Sequence, residues 1–369
     1  MKIIGCDRWL RHGARIVTAI SLVALPAFAA GLAFAGAAPK DELPRSVNFG
    51  THAVGTVFNA VGTGLAKAAT DRGPIRVVVQ PFSGPPAWVT SMNRDGKPAI
   101  GIINVIDGWQ AYTGKLTPRP LPAGSPEMKP PYAAHSNLRL LKVGTNLVAG
   151  ILVRADSPYK SMADLKGKRL TWDFPAFPPN ILLGLTALAT AGMNPKDIVP
   201  VPVPEVTSGV RALMEGRVDG AVAAVGMGVV SEADARIGVR FLPAGQDPQG
   251  LAVAQGIMPG GNVSIRPPGP AGIKVETPLW AYGIAIVAST HMTDATAHAL
   301  LNTWAEHWKD LEPIHPQLRG WRPEIFVSKT ATIPYHSGAI KLYKEKGSWT
   351  AEMDRNQEAL LRGELPFLK

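Results

Sequence analysis

The chain has 369 residues, 46% of them hydrophobic, with 38 Lys/Arg against 28 Asp/Glu for a formal charge of +10. That length accommodates two domains of ordinary size with real cores. The basic residues are scattered, the densest run being Lys341, Lys344 and Lys346, and no aromatic-interleaved basic stripe exists, which argues against nucleic acid as a partner.

The N-terminus reads as a targeting segment. Lys2, Arg8, Arg11 and Arg15 form a basic region, Ile16 to Leu25 an apolar one, and Ala33-Phe34-Ala35 an A-x-A cleavage site, with Ala27-Phe28-Ala29 as a second choice. The competing reading is an uncleaved anchor, because the 23 residues from Ile16 to Ala38 carry no charge. Pro26 and the many Ala and Gly residues favour cleavage after Ala35 and export to the periplasm. The first 35 residues hold four Lys/Arg and one Asp, so their removal leaves +7, and it also removes Cys6, the only cysteine. The mature chain then has no disulfide, no cysteine metal site and no thiol nucleophile.

A linker, Ala37 to Arg45, precedes the first βα unit. Val47 to Phe49 reads as a strand ended by Gly50. Small and hydroxylic residues follow (Thr51, Ala53, Gly55, Thr56), and then a helix with Val57, Val61, Leu65 and Ala68 on one face. A strand, a polar glycine turn and a helix start leave backbone N–H groups where the helix dipole favours an anion. Ile75 to Val79 is a second strand. A helix carrying Trp88, Val89 and Met92 follows the turn Phe82-Ser83-Gly84-Pro85-Pro86. Ala99 to Val105 has the unbroken apolar run of a buried strand and leads into Ile106 to Tyr112. Residues 116–135 are a Pro/Gly loop.

Leu138 to Val143 and Leu147 to Arg154 read as two adjacent extended runs. Ser161 to Leu165 is a capped helical turn, Arg169 to Trp172 a strand, and Ile181 to Ala191 a helix ended by Gly192. Val199 to Val203, interrupted by prolines, is an edge strand. Val206 to Met214 is a helix; Val218 to Val225, Val239 to Leu242 and Leu279 to Ala288 are strands; Asp294 to Leu311 is an amphipathic helix. Strands alternate with helices twice, over 44–142 and 145–288, which predicts an α/β fold of two Rossmann-like lobes. Its polar turns lie at strand carboxyl ends, where such sheets bind ligands.

Catalytic and cofactor signatures are missing. Gly62-Thr63-Gly64 lacks the third glycine of a dinucleotide turn, no lysine completes the Walker-like spacing after Gly55-Thr56, and neither G-x-S-x-G nor H-E-x-x-H occurs. Of the eight histidines, His291, His298, His307 and His315 form the one group, without partners at metal-ligand spacing. His52 stands apart, in the polar turn after the first strand. Asp107 with His52 is the sole pair an enzyme could use.

The stretch Ile333-Pro334-Tyr335-His336-Ser337-Gly338-Ala339-Ile340-Lys341-Leu342-Tyr343-Lys344-Glu345-Lys346-Gly347 resembles the closing motif of the TAXI family, solute receptors of tripartite ATP-independent periplasmic (TRAP) transporters. Val47 to Val57, Ile100 to Gly114, Val153 to Arg169 and Ser208 to Ala221 resemble further family segments in the same order. The chain departs where the family has a Gly-Gly-Ser turn and a Gly/Ser-rich turn; here stand Ser83-Gly84-Pro85-Pro86 and Phe174 to Asn180. Proline donates no N–H, and phenylalanine adds apolar wall, so a bulkier, apolar or aromatic organic acid suits these turns better than glutamate or a small dicarboxylate.

The resemblance implies a type II periplasmic-binding-protein-like clamshell. Lobe 1 would be residues 44–144 plus 292–346, lobe 2 residues 145–291, with Leu147 to Arg154 and Leu279 to Ala288 as hinge strands and 348–369 as an outer helix. It implies a monomer without a cofactor that closes over one small organic acid and presents it to a membrane TRAP permease. The expected lining is Thr51, Thr56, Ser83 and Asn104 for hydrogen bonds and Trp172, Phe174 and Phe177 for apolar contact, with His52, Val54, Asp107, Asn180, Glu205 and Met227 beside them. Glu205 has a competing reading as a helix cap. Tyr335, His336, Asp164 and Asp219 read as structural. The rival functions are a periplasmic ligand sensor and an enzyme on the same frame.

Overall fold

The computed structural model describes residues 42–175 and 177–368. Residues 1–41, with the targeting segment and both cleavage sites, lie outside them. The described chain belongs to one compact unit, Lys40–Lys369. In chain order it forms β1 (Ser46–Thr51), α1 (Val57–Arg72), β2 (Arg76–Pro81), α2 (Val89–Asp95), β3 (Ile100–Asn104) and α3 (Val105–Thr113). After the Pro/Gly loop come β4 (Leu138–Arg154), β5 (Arg169–Trp172), α4 (Ile181–Thr190), β6 (Val199–Pro202), α5 (Val206–Met214), β7 (Ala221–Ala224) and α6 (Gly228–Ile237). The chain finishes with β8 (Val239–Phe241), α7 (Pro248–Ile257), β9 (Asn262–Arg266), β10 (Thr277–Ser289), α8 (Asp294–Glu306), α9 (Ser337–Glu345) and α10 (Ala351–Leu361).

The fold is mixed α/β on a curled sheet of order β2-β1-β3-β10-β4-β7, with β8 on β4 and β9 on β10; β5 and β6 pair separately. β1 runs parallel to β2 and β3. β10 is antiparallel to β3, β4 and β9. Two long strands therefore belong to both ends of the sheet. β4 pairs with the C-terminal part of β10 through Leu138–Val143, and with β7 and β8 through Ala149–Arg154.

The alternation of apolar runs and turns made most of these elements visible. β4 differs: the two runs read on either side of Gly144-Thr145-Asn146 are a single strand. Gly144 stays in it because Trp321 lies flat against the backbone, where an added Cβ would come within 2.2 Å of the ring. β10 takes up its own irregularity by register shifts beside Gly283. α6, α7, β9 and α9 are additional to the elements read from the sequence. As expected, β6 is an edge, paired only with β5 among the described strands.

The closing motif anchors the C-terminus to β4. Leu140 N–H donates to the Pro334 carbonyl at 2.8 Å, and His336 N–H to the Leu140 carbonyl at 2.9 Å. Tyr335 is buried; its hydroxyl accepts from Ser328 N–H at 2.8 Å, and Gln357 of α10 clasps its backbone on both sides. His336 caps α9 through Nδ1, which accepts from Gly338 N–H. Asp164 closes a capping box with Ser161, and Asp219 pairs with Arg169 at 3.0 Å. These four residues hold the frame together, as their sequence contexts suggest.

Candidate functional site

A cleft opens where strand ends meet helix starts. Its first wall is the turn after β1 (His52, Ala53, Thr56, then Val57 and Phe58 of α1), with Ser83 after β2 and Asn104 and Ile106 at the β3–α3 junction. Its second wall comes from the entries to three helices: Phe177, Pro179, Asn180 and Leu183 at α4, Glu205, Val206 and Thr207 at α5, and Ala224 and Met227 at α6, with Met258 following α7. Leu147 of β4 and Tyr282 of β10 make the floor. The geometry follows from the topology, since an open α/β sheet gathers the turns at its strand carboxyl ends on one side.

The cleft offers about 80 Å³ to the centre of a water molecule. One water needs ~10–15 Å³ on that measure, so a small solute fits and a macromolecule does not. The walls touch through aromatic rings. His52 stacks on Phe58 with centroids 4.1 Å apart and meets the edge of Phe177, from the opposite wall, at 5.6 Å.

Charge is scarce inside. Among the described lining residues none is Lys or Arg, and Glu205 carries the one formal charge. Burial holds His52 neutral, its pKa lowered to about 3, and leaves Nε2 without a hydrogen-bond partner. Behind the first wall, burial raises Asp107 to about 8, against a single opposing hydrogen bond from Asn104. Asp107 is therefore neutral at pH 7. Asn104 Nδ2–H donates to its Oδ2 at 2.6 Å, while Oδ1 has no partner. Tyr282 and Tyr132, both raised first by burial and then by Asp107, lie within reach of its field.

Helix dipoles supply the positive potential that side chains do not. Five helices (α1, α3, α4, α5, α6) start at the cleft, and the first amides of a helix have no intrahelical acceptor. On the first wall these are partly satisfied within the chain. Thr56 Oγ1 accepts from Asn59 N–H at 3.2 Å to cap α1, and Asn104 Oδ1 accepts from Asp107 N–H at 2.8 Å to cap α3. On the second wall α4, α5 and α6 have no side-chain cap. Glu205, at the head of α5, instead accepts a hydrogen bond from the Thr207 hydroxyl. An acid placed here meets the first amides of α5 and α6 and aligned dipoles; α4 is led in by the turn Pro178–Asn180, whose prolines carry no N–H and whose Asn180 N–H donates to the Phe177 carbonyl at 3.1 Å.

Of the thirteen residues singled out from the sequence, the structure brings eight to the cleft: His52, Thr56, Ser83, Asn104, Phe177, Asn180, Glu205 and Met227. Five lie elsewhere. Thr51 is fully buried under α1, its hydroxyl accepting from Asn59 Nδ2 at 2.9 Å, and a Cβ on Gly62 would fall 2.4 Å from its methyl. Val54 points to solvent, 75% exposed. Asp107 sits one layer behind Asn104 and bonds that residue rather than His52, so the catalytic pair considered above does not form. Trp172 packs into the space left by Gly184 of α4, and Phe174 is buried in the core. A side chain in a turn can face either way, and here the turn before α4 sends Phe174 inward and Phe177 across the cleft.

Tyr282, Leu147, Val206 and Met258 are lining residues that the sequence reading did not select. β10 is apolar throughout, so no alternation marks the face that Tyr282 occupies. Its hydroxyl in such a run was the available signal, because a buried tyrosine seeks a polar neighbour. Among the described residues no His, Cys, Asp and Glu cluster could hold a metal ion, and no helix is long and apolar enough to cross a membrane.

The sequence model of the NMT1-like family matches residues 49–347. Among solved structures, MatC from Rhodopseudomonas palustris with bound malate is 13% identical, covering 86% of this chain and 99% of that one at a TM-score of 0.51. A structure described as a periplasmic transporter is 14% identical, covering 88% of this chain and 98% of that one, also at 0.51. At this identity the likeness is one of fold, that of periplasmic binding proteins. A search of curated proteins finds no match.

Proposed function

The chain belongs to the NMT1-like family, and from that membership we infer that it is an exported solute receptor, which takes one small organic acid into the cleft and hands it to a membrane permease. The observation that carries this reading is the cleft itself: helix starts without side-chain caps converge on a space of solute size, next to an unpartnered buried His52 Nε2. The acid group would lie against the amides of the second wall, and the apolar lining (Ile106, Leu147, Phe177, Leu183, Met258) would take the rest of the solute. A bulky or aromatic acid suits that lining. Binding without a nucleophile or an acid/base pair at the cleft favours a receptor over an enzyme.

The narrower assignment to the TAXI receptors of TRAP permeases is supported by the Ile333–Gly347 segment. Domain closure is supported by the topology: residues 44–144 plus 292–346 and residues 145–291 would move as two bodies about β4 and β10, the strands common to both ends of the sheet. Native mass spectrometry of protein purified from its own host tests the reading. A single acidic small molecule retained one-to-one is expected; turnover of that molecule, or retention of none together with no thermal shift across a panel of organic acids, overturns it.

A further inference from the structure

We propose that Glu205 restricts the cleft to solutes with a single negative charge and so excludes dicarboxylates of the same carbon skeleton. This rests on the reading of the cleft as an organic-acid site and names the class of acid. Three helices on the second wall start without side-chain caps, but α5 already has an anion at its head, the Glu205 carboxylate held by the Thr207 hydroxyl. Its charge offsets the field of α5 and leaves the start of α6 for the solute, with the dipole of α4 behind its Pro178-Pro179 lead-in. Each start offers only a fractional positive charge, about half an elementary unit, which fades within a turn. No lysine or arginine among the described lining residues adds to it.

A first carboxylate is accommodated at α6, and His52 Nε2, buried without a partner in the chain, is left for the solute to bond as donor or acceptor according to its tautomer. A second carboxylate in a space this small lies near Glu205 or among neutral side chains, apolar (Ile106, Leu147, Leu183) or polar (Thr56, Ser83, Asn104), none of which brings a positive charge. The first position sets like charges together at low dielectric, and the second leaves a desolvated charge without a cation. The end of the solute facing Glu205 is therefore uncharged or donates a hydrogen bond.

Titration calorimetry with matched pairs tests this: hexanoate against adipate and benzoate against terephthalate, on the wild type, Glu205→Gln and Glu205→Asp. Expected are monoacids that bind the wild type at least about tenfold more tightly than their diacids, a gap that falls to about twofold in Glu205→Gln, and a gap kept by Glu205→Asp. Thermal melts of the three proteins confirm that each is folded. Diacids that bind the wild type as well as the monoacids, or a gap unchanged by Glu205→Gln, overturn the proposal while leaving the organic-acid reading intact. Failure of every acid to bind the wild type overturns both.

Discussion

The two walls of the cleft treat the same physical problem in opposite ways. Thr56 and Asn104 on the first wall cap their own helices, so α1 and α3 already have acceptors. On the second wall α4, α5 and α6 present their first turns without side-chain caps. A cap stabilises a helix by ~1 kcal/mol. Going without it at α5 and α6 leaves amides for something from outside the chain, and α4, led in by Pro178-Pro179, adds its dipole. The contrast assigns anchoring to the first wall and capture to the second.

The largest effect should come from the buried acid behind the first wall. Asp107 ionises near 3.8 in an unfolded chain and near 8 here. Its contribution to stability is thus complete below pH 3.8 and is lost as pH rises toward 8. Asp107→Asn removes that loss, so urea melts should find the variant progressively more stable than the wild type from pH 4 to 8, reaching on the order of 3–5 kcal/mol. A difference independent of pH would mean that Asp107 is ionised in the fold.

Giving the second wall a cap should erase the contrast. Met227→Asp places a carboxylate at the start of α6, where it competes with the solute for the same amides. Affinity for a bound acid, followed by calorimetry, should fall roughly a hundredfold. An unchanged affinity would move the acid away from α6.

His52→Phe keeps the ring stacked on Phe58 and removes Nε2. Affinity should drop about tenfold, the value of one hydrogen bond at a buried site. The same variant should resist acid better. His52 ionises near 6.5 when unfolded and near 3 here, so its contribution is present above pH 6.5 and lost as pH falls toward 3. A thermal-melt series from pH 7 to 4 reads that slope.

The smallest effect belongs to Thr56→Ala. It uncaps α1 on the anchoring wall and should cost about 1 kcal/mol of stability with affinity changed less than ~threefold. A large loss of affinity with unchanged stability would make Thr56 a solute contact and blur the distinction between the walls.

Much of this arrangement was legible residue by residue. The turn after β1 and the β3–α3 junction each announce a strand, a polar capping residue and a helix, and both reach the cleft. Tyr335 and His336 sit in a motif whose length and aromatic content suit a clasp, and they clasp β4. The second wall was harder. α6 opens at Met227 without a capping residue to mark it, while α7 did carry a signal, Asp247 ahead of Pro248, with the aspartate accepting from Gly250 N–H at 2.7 Å. Trp172, Phe174 and Phe177 have the same chemistry and nearly the same position in the chain, yet only Phe177 lines the cleft.

What the sequence determined by itself is local: which runs become strands and helices, that they alternate, and where polar turns interrupt them, because period and capping act over a few residues. Which of those turns meet, which aromatic ring turns inward, and that Asp107 ends up one layer behind Asn104 were decided by tertiary structure. Those outcomes depend on β4 and β10 running through both ends of the sheet and bringing together turns more than a hundred residues apart, a juxtaposition that no local pattern encodes.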